Sequence, residues 1–426
     1  MKLELHLDFE SRAPFSPSDI GLHNYIFSPK MEPLFLWYRP GAWVKSRFDY
    51  DWKADAKCWH MWEESLELFS EGLKTPADLD MYLRDPEVML VAYNSAFERY
   101  MLQRLGYTIP VDRFIDPQVY GRYLSLPASL DVQCEVLDVP EHLSKMKRGK
   151  ELVKLFCEKV VIKATRKRET TEFYNDWNSH PAEWQEFLEY GRQDVIAEAE
   201  LLRRERILGA YPLPETEQRL WLLDQKVNDR GMPLDVDFVS KMYSLAIRAK
   251  EEAKKNFEEF TGVANANSPA QVKKWAAAQG YPYPSLNKDI VTSALKDPEI
   301  QLTDACRKAL QMRREAASTS YQKLGKMLEA VSLDKMLRCQ FIFMGSSRCG
   351  RWTGNAVQLQ NMARPGVIEV KDETGKVIAK YDFESQKVVK EARAMIYAND
   401  YEAIKKKYGT VLLVVKNLIR TVFVTI

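Results

Sequence analysis

The 426 residues lack most of the side-chain patterns on which common enzyme chemistry is built. Six cysteines, at positions 58, 134, 157, 306, 339 and 349, include no Cys-x-x-Cys pair and no zinc-type spacing. That excludes a disulfide framework and points to reduced thiols in a cytoplasm. Only five histidines are present, widely spaced, so a histidine-centred mechanism has little to stand on. No serine lies in a Gly-x-Ser-x-Gly setting. The glycine-bearing stretch Gly345–Gly354 lacks the Gly-Lys-Ser/Thr ending of a nucleotide-binding P-loop. No apolar run approaches the ~18 residues of a transmembrane helix. Met1 leads straight into a strand pattern without a charged and apolar leader, so secretion is not expected. The net charge is only +2 and favours neither sign of partner.

What is present is a chain with 46% hydrophobic and 29% charged residues, long enough for two or three globular domains. Its most informative stretch is the first. Leu3, Leu5, Leu7 and Phe9 alternate with polar residues, the period of a half-buried strand. Asp8 and Glu10, two apart, therefore share a face. Adjacent like charges repel, and a divalent cation bridging them turns the repulsion into attraction. Val88–Tyr93 is a short continuous apolar run, the mark of a buried strand, and Ala96–Leu105 reads as the helix after it. Glu98 thus sits where a strand hands over to a helix. Pro181–Ile207 is predicted to be one long helix, with Tyr190 and Asp194 at i and i+4 on one face. Gly191 between them costs a helix ~1 kcal/mol relative to alanine, and its missing side chain reads as room for a substrate. His6, on the face of Asp8, is expected to be structural.

The rest of the chain changes character twice. Two prolines, Pro212 and Pro214, break the pattern at Tyr211–Pro214, and from Glu215 to about Arg338 the chain reads as almost wholly helical. Ser268-Pro269 opens one helix, with serine as cap and proline at the first position. Thr303–Leu328 reads as a single long helix, and Trp59–Ser70 and Pro76–Leu83 as shorter ones. Phe341–Thr425 is expected to be short strands and turns, with a hairpin signal at residues 371–376. Basic residues cluster in Leu143–Arg168, ten against two acids, and in Arg307–Arg351, ten against three. Two such runs beside an acidic cluster suit a phosphate backbone passing between them.

The strand Asp8-x-Glu10, the Asn94-x-x-Phe97-Glu98 element and the helical Tyr190-x-x-x-Asp194 together resemble the three motifs of the DEDDy 3′–5′ exonucleases. The resemblance implies a ribonuclease H-like α/β domain with a mixed sheet. It also implies two divalent cations, Mg²⁺ or Mn²⁺, held by Asp8, Glu10 and Asp194, with Glu98 in the place of the second-motif acid. Tyr190 would orient the attacking water, and Asn94 and Phe97 would meet the 3′ end of single-stranded DNA. The family's second-motif acid is usually aspartate; glutamate is one methylene longer, and Asp112 or Asp116 could take its place, although Asp116-Pro117 reads as a turn.

Further along, Leu223–Pro233, Asn267–Val272 and Arg314–Ser320 are similar to the thumb of family A DNA polymerases, most of all those of phages. There Arg314, Ser318, Thr319 and Ser320 would touch the duplex backbone. Gly350-Arg351-Trp352 with Leu359-Gln360-Asn361 is similar to the start of their palm, where Arg351, Gln358, Gln360 and Asn361, with Arg348 just before, would read primer–template in the minor groove. Such readout follows duplex shape and not sequence. The expected organisation is an exonuclease domain over 1–211, a mostly α-helical thumb over 212–340 and a short α+β start of the palm over 341–426. Leu418–Ile426 resembles the lead-in to the first palm aspartate, which lies beyond the last residue, as do the fingers. The apolar stretches Val411–Val415 and Val422–Ile426 are expected to form an exposed edge. On that reading either the sequence is a truncated piece of a polymerase, or a second chain carrying the remaining palm and fingers is the expected partner; no membrane is involved, and a bacterial host cytoplasm is the expected location if the chain is phage-encoded.

Overall fold

The alternation at the start of the chain produces a strand covered on both faces. In a computed structural model of the protein, residues 2–63, 74–162, 170–297, 300, 302–372 and 376–424 are described. β1 (Leu3–Arg12) pairs antiparallel with β2 (Glu32–Val44), which also carries β3 (Asp49–Trp52) and β4 (Lys57–Trp59). On its other side β1 pairs parallel with β5 (Met89–Val91), and β5 pairs parallel with β6 (Phe114–Ile115). Among the described residues the result is a mixed six-stranded sheet in the order β3-β2-β1-β5-β6, with β4 alongside β2. The mixture of parallel and antiparallel pairs agrees with the α/β class expected for this part of the chain.

The chain forms two compact units. The first comprises Met1–Gly231 with Ala330–Ser332 and Met336–Gln360, so the proline break at Tyr211–Pro214 lies inside it. Within this unit Leu5, Leu7 and Phe9 are buried with Leu36, Tyr38 and Leu90 on one face of the sheet. On the other face Phe35 of β2 packs with Phe156, Trp184 and Phe187. Each such side chain, fully buried, contributes roughly 1.5–3 kcal/mol of transfer free energy. Trp184 and Phe187 belong to the long helix Pro181–Ile207, which opens with proline in its first turn as predicted. Glu215–Arg230, a helix of the same unit, is fastened to the helix Ala96–Arg104: Arg99 forms a two-pronged pair with Asp229 at 2.8 and 2.9 Å.

The second unit comprises Met232–Glu329, Leu333–Lys335 and Asn361–Ile426. Its spine is the helix Val236–Thr261, capped by Asp235, whose side chain accepts from Phe238 N, and stopped at Gly262 with φ +71°. The left-handed conformation there is one that glycine adopts without a Cβ penalty. The helix packs beside Asp304–Ala316, with Phe257, Ala309 and Ala316 buried together. Ser268 caps Pro269–Ala278 as predicted.

Four expectations need correction. Trp59 ends β4, and the turn that follows is a 3-10 turn at Met61–Glu63; the remainder of the helix expected over Trp59–Ser70 falls on residues 64–70, outside those described. The long helix over Thr303–Leu328 is two helices, Asp304–Ala316 and Gln322–Ala330. They part at Ser318-Thr319-Ser320, whose hydroxyls compete with helical backbone bonds, while Lys250 Nζ holds Ser318 O at 2.7 Å. The stretch after Phe341 is not all strands and turns. After the antiparallel pair Val367–Lys371 and Val377–Asp382, whose connection at 373–375 is not among the described residues, come the helices Gln386–Tyr397, Tyr401–Tyr408 and Val411–Leu418. Val411, Leu412, Val414, Val415, Leu418 and Val422 are buried. The stretch Val411–Val415 is thus a mostly buried helix face and not an exposed edge, with Leu413 exposed; in the second stretch Val422 is buried and Val424 exposed, and residues 425–426 lie outside those described. No described helix is long and apolar enough to cross a membrane.

Candidate metal centre

The register of β1 decides where its acids go. Its pairing with β5 runs from Glu4↔Met89 to His6↔Val91 and then stops, so Asp8 and Glu10 extend past the carboxyl end of the parallel pair. Crevices beyond the carboxyl ends of parallel strands are where α/β sheets place ligands. On β2 the cross-strand partner of Asp8 is Trp37 and that of Glu10 is Phe35, and both lie under the long helix.

The helix crosses this face with a polar row that matches the strand. Arg206 pairs with Glu4 at 2.6 Å, Glu198 with His6 at 3.0 Å, and Asp194 reaches Asp8 and Glu10. Two residues of strand advance about 6.6 Å and four residues of helix about 6 Å, so successive rungs from His6 to Asp8 and from Glu198 to Asp194 stay in step. Gly191 sets the separation. A Cβ there would lie 2.6 Å from Phe35 Cε2 and 3.0 Å from Trp37 Cδ1. The missing side chain therefore makes room for the two β2 rings and not for a substrate, contrary to the reading from sequence.

Ligand oxygens of Asp8, Glu10 and Asp194 all lie within 4.8 Å of one another. Burial raises the proton affinity of all three carboxyls; Asp194 adds to the effect at Asp8, and Asp8 and Asp194 add to it at Glu10. Lys145 opposes it, its Nζ 2.5 Å from Asp194 Oδ2. Asp194 Oδ1 is buried without a hydrogen-bond partner. An all-oxygen set of three carboxylates with one open, buried oxygen fits a hard divalent cation such as Mg²⁺ or Mn²⁺.

The other candidate residues fall in several places. Tyr190 is buried, stacked on Phe187, and its hydroxyl is made less acidic by burial and then by Glu10, Asp194 and Asp8. Glu98 is 3% exposed with Oε2 unpartnered, and its carboxyl is raised by burial and by Asp8; it lies outside the group of three. Asp116 is no substitute ligand. It caps Pro117–Tyr123 and accepts from Asn94 N, Ser95 N, Ser95 Oγ and Gln118 N. Asn94, held by that bond at φ +63°, keeps its side chain exposed, while Phe97 leans on the main core.

Of the nucleic-acid candidates, Arg348, Arg351, Gln358 and Gln360 are exposed on a loop of the first unit. That loop is tied by Asn355 N to Gln340 O and by Arg351 Nε to Cys349 Sγ. Arg314 and Thr319 are exposed in the second unit, Ser318 and Ser320 are half-buried with their hydroxyls 3.3 Å apart, and Asn361 is exposed. Sequence reasoning missed Lys145 and Glu198. Glu198 stands one helical turn beyond Asp194, a signal that was available; Lys145 was visible only as one member of a basic run.

The site so defined is a cluster of three carboxyls toward the end of the central strand of a mixed sheet, of a kind able to hold a divalent cation. No protein-family model matches the chain. Over 365 residues, 83% of its length, it is 31% identical to the DNA polymerase of Bacillus phage SP02, and it spans about half (50%) of that relative. Among solved structures, the polymerase domain of Pol1 from M. smegmatis in complex with DNA primer–template and dNTP is similar at a TM-score of 0.45. That likeness has 13% identity and covers 88% of this chain and 53% of the other.

Two predictions follow from the geometry. Carboxyls that bind protons more tightly folded than unfolded make the native state lose stability as pH rises. With Asp8 raised to about 8, the unfolding midpoint in EDTA should fall between about pH 5 and about pH 8, and Mn²⁺ should flatten that fall; a flat profile in EDTA contradicts the cluster. Gly191→Ala, although it favours helix, should cost about 1–3 kcal/mol by overpacking and weaken Mn²⁺ binding about ten-fold or more by lifting Asp194 from β1. Urea unfolding and a Mn²⁺ titration measure both.

Proposed function

We propose that the chain is a Mg²⁺- or Mn²⁺-dependent 3′–5′ exonuclease acting in DNA synthesis, of the DEDDy type, and that it binds primer–template DNA. The observation that carries the proposal is the convergence of Asp8, Glu10 and Asp194 on one point, in a chain related to a phage DNA polymerase over most of its length. Two cations bound there would lower the pKa of an attacking water and neutralise charge building on the departing 3′ oxygen. The chain's own residues divide the remaining work. Tyr190 offers one hydroxyl beside Glu10 and Asp194 to position the water. Asn94 and Phe97, at the turn out of β5, bind the terminal nucleotide of the single strand. Glu98 stands behind Asp8 as an acid that supports it from outside the first ring of ligands. No side chain has to act as a covalent nucleophile.

In this proposal residues 1–211 are the exonuclease, 212–340 the thumb and 341–426 the beginning of a family A palm. Arg348, Arg351, Gln358, Gln360 and Asn361 would contact duplex DNA, and Arg314 with Ser318, Thr319 and Ser320 its backbone. The phage relative's name supports the setting in DNA synthesis; the degradative chemistry rests on the carboxylates.

The test uses 3′-labelled single-stranded DNA. The wild-type chain should release nucleoside monophosphates with Mn²⁺, and the Asp8→Ala/Glu10→Ala double variant should lose at least about a thousand-fold in rate, the range expected when the groups that stabilise a transition state electrostatically are removed. Full activity in the double variant rejects the site.

The position of Glu98 outside the carboxylate group favours a second reading: a DNA-binding and assembly subunit whose exonuclease is weak or inactive. Under it, Arg351→Ala should lower primer–template affinity about ten-fold, as loss of a good side-chain contact to DNA does, while no metal-dependent degradation is seen from the wild type. Fluorescence anisotropy read beside the nuclease assay separates the two.

A further inference from the structure

Lys145 is placed with more care than a solvent-facing lysine in a basic run requires. Its ammonium is 2.5 Å from Asp194 Oδ2 and 4.8 Å from the centre of the Tyr190 ring. Its charge acts on Asp8 and Glu10 as well. The segment that carries it is fixed to the long helix on both sides. Ahead of it, Gln193 Nε2 donates to Ser144 O at 2.9 Å and to His142 O at 3.1 Å. Behind it, Gly149 lies so close to Tyr190 that a Cβ would come 2.1 Å from the ring. Helix residues 190, 193 and 194 thus hold the lysine where they also hold the acid.

The two oxygens of Asp194 are consequently in different states. Oδ2 has the ammonium, and Oδ1 is buried with no partner. Three clustered carboxyls face a single ammonium, which is bonded to one of them. A lysine ammonium is a compact point charge on a flexible stem, able to fill a cation position and able to leave it.

We propose that the Lys145 ammonium occupies one of two cation positions in the carboxylate cluster, so that without nucleic acid the chain takes up one divalent ion, and a second enters only by displacing the lysine. This rests on the reading of Asp8, Glu10 and Asp194 as a metal centre. A phosphodiester bound at the site would be what lets the second ion in, and the displaced Lys145 ammonium would then be free to donate to one of its phosphate oxygens. The exchange breaks no bond between heavy atoms, and any proton that a carboxyl of the cluster holds leaves to water as the ion enters.

Bound Mn²⁺ is counted by electron paramagnetic resonance in the full chain without DNA, for the wild type, Lys145→Met and Lys145→Arg. The methionine keeps the stem and removes the charge, and the arginine keeps the charge. Wild type and Lys145→Arg should bind one ion, and Lys145→Met two, with the second-site affinity raised about ten-fold or more by loss of a competing charge a few ångströms away. Thermal unfolding checks that each variant folds: Lys145→Met should melt below the wild type in EDTA and recover with Mn²⁺. Equal ion number and affinity in all three overturns the lysine assignment alone, as does loss of the first ion in Lys145→Met. Absence of bound Mn²⁺ in every form overturns both the assignment and the metal centre beneath it.

Discussion

Three carboxylates within 4.8 Å of one another repel, and the architecture of the first unit holds them there in spite of that. β1 supplies two of them because side chains two apart share a face. The long helix supplies the third because its rise over one turn keeps step with the strand. The rings of Phe35 and Trp37 on β2, met by the bare backbone at Gly191, fix how near strand and helix come. Nothing in a folding argument recommends such a cluster, since like charges side by side cost stability. A cation bound among them would turn that repulsion into attraction, which is the reason the proposed function gives for keeping it.

The polar row along the helix shows how that cost is contained. Away from the open end the rungs are paired: Glu4 has Arg206, and His6, kept uncharged by burial with Arg206 and Arg39 nearby, shares a hydrogen bond with Glu198. Glu198 also accepts from Tyr93 N at 2.6 Å, which ties the end of β5 to the helix. At the open end, where β5 no longer covers β1, three carboxyls share one ammonium, that of Lys145. Local consistency fails at the place where chemistry is expected, as it does in proteins whose functional sites carry strain that the rest of the fold offsets.

Much of this was legible before any coordinates. Period-2 alternation exposed Asp8 and Glu10 on one face, and i, i+4 spacing set Tyr190 over Asp194. The apolar run before Asn94 marked β5. What escaped did so for physical reasons. Val411–Val415 is a continuous apolar run rich in valine, and such a run fits a buried strand or a buried helix equally well by periodicity; tertiary packing made it part of the helix Val411–Leu418. The hydroxyls of Ser318, Thr319 and Ser320 broke a helix whose apolar pattern ran on. Gly191 was read as space for a ligand because sequence does not show which ring fills a gap. Lys145 belongs to a loop, and loops carry no periodicity from which to place a side chain, so its contact with Asp194 became visible only in three dimensions.

The most direct measurement is a crystal of the chain soaked in Mn²⁺, with data collected at the manganese absorption edge. An anomalous peak within about 2.2 Å of oxygens from Asp8, Glu10 and Asp194, a usual distance for a hard cation of this size, is the expected result. A map with no peak between β1 and the long helix at saturating Mn²⁺ would contradict it.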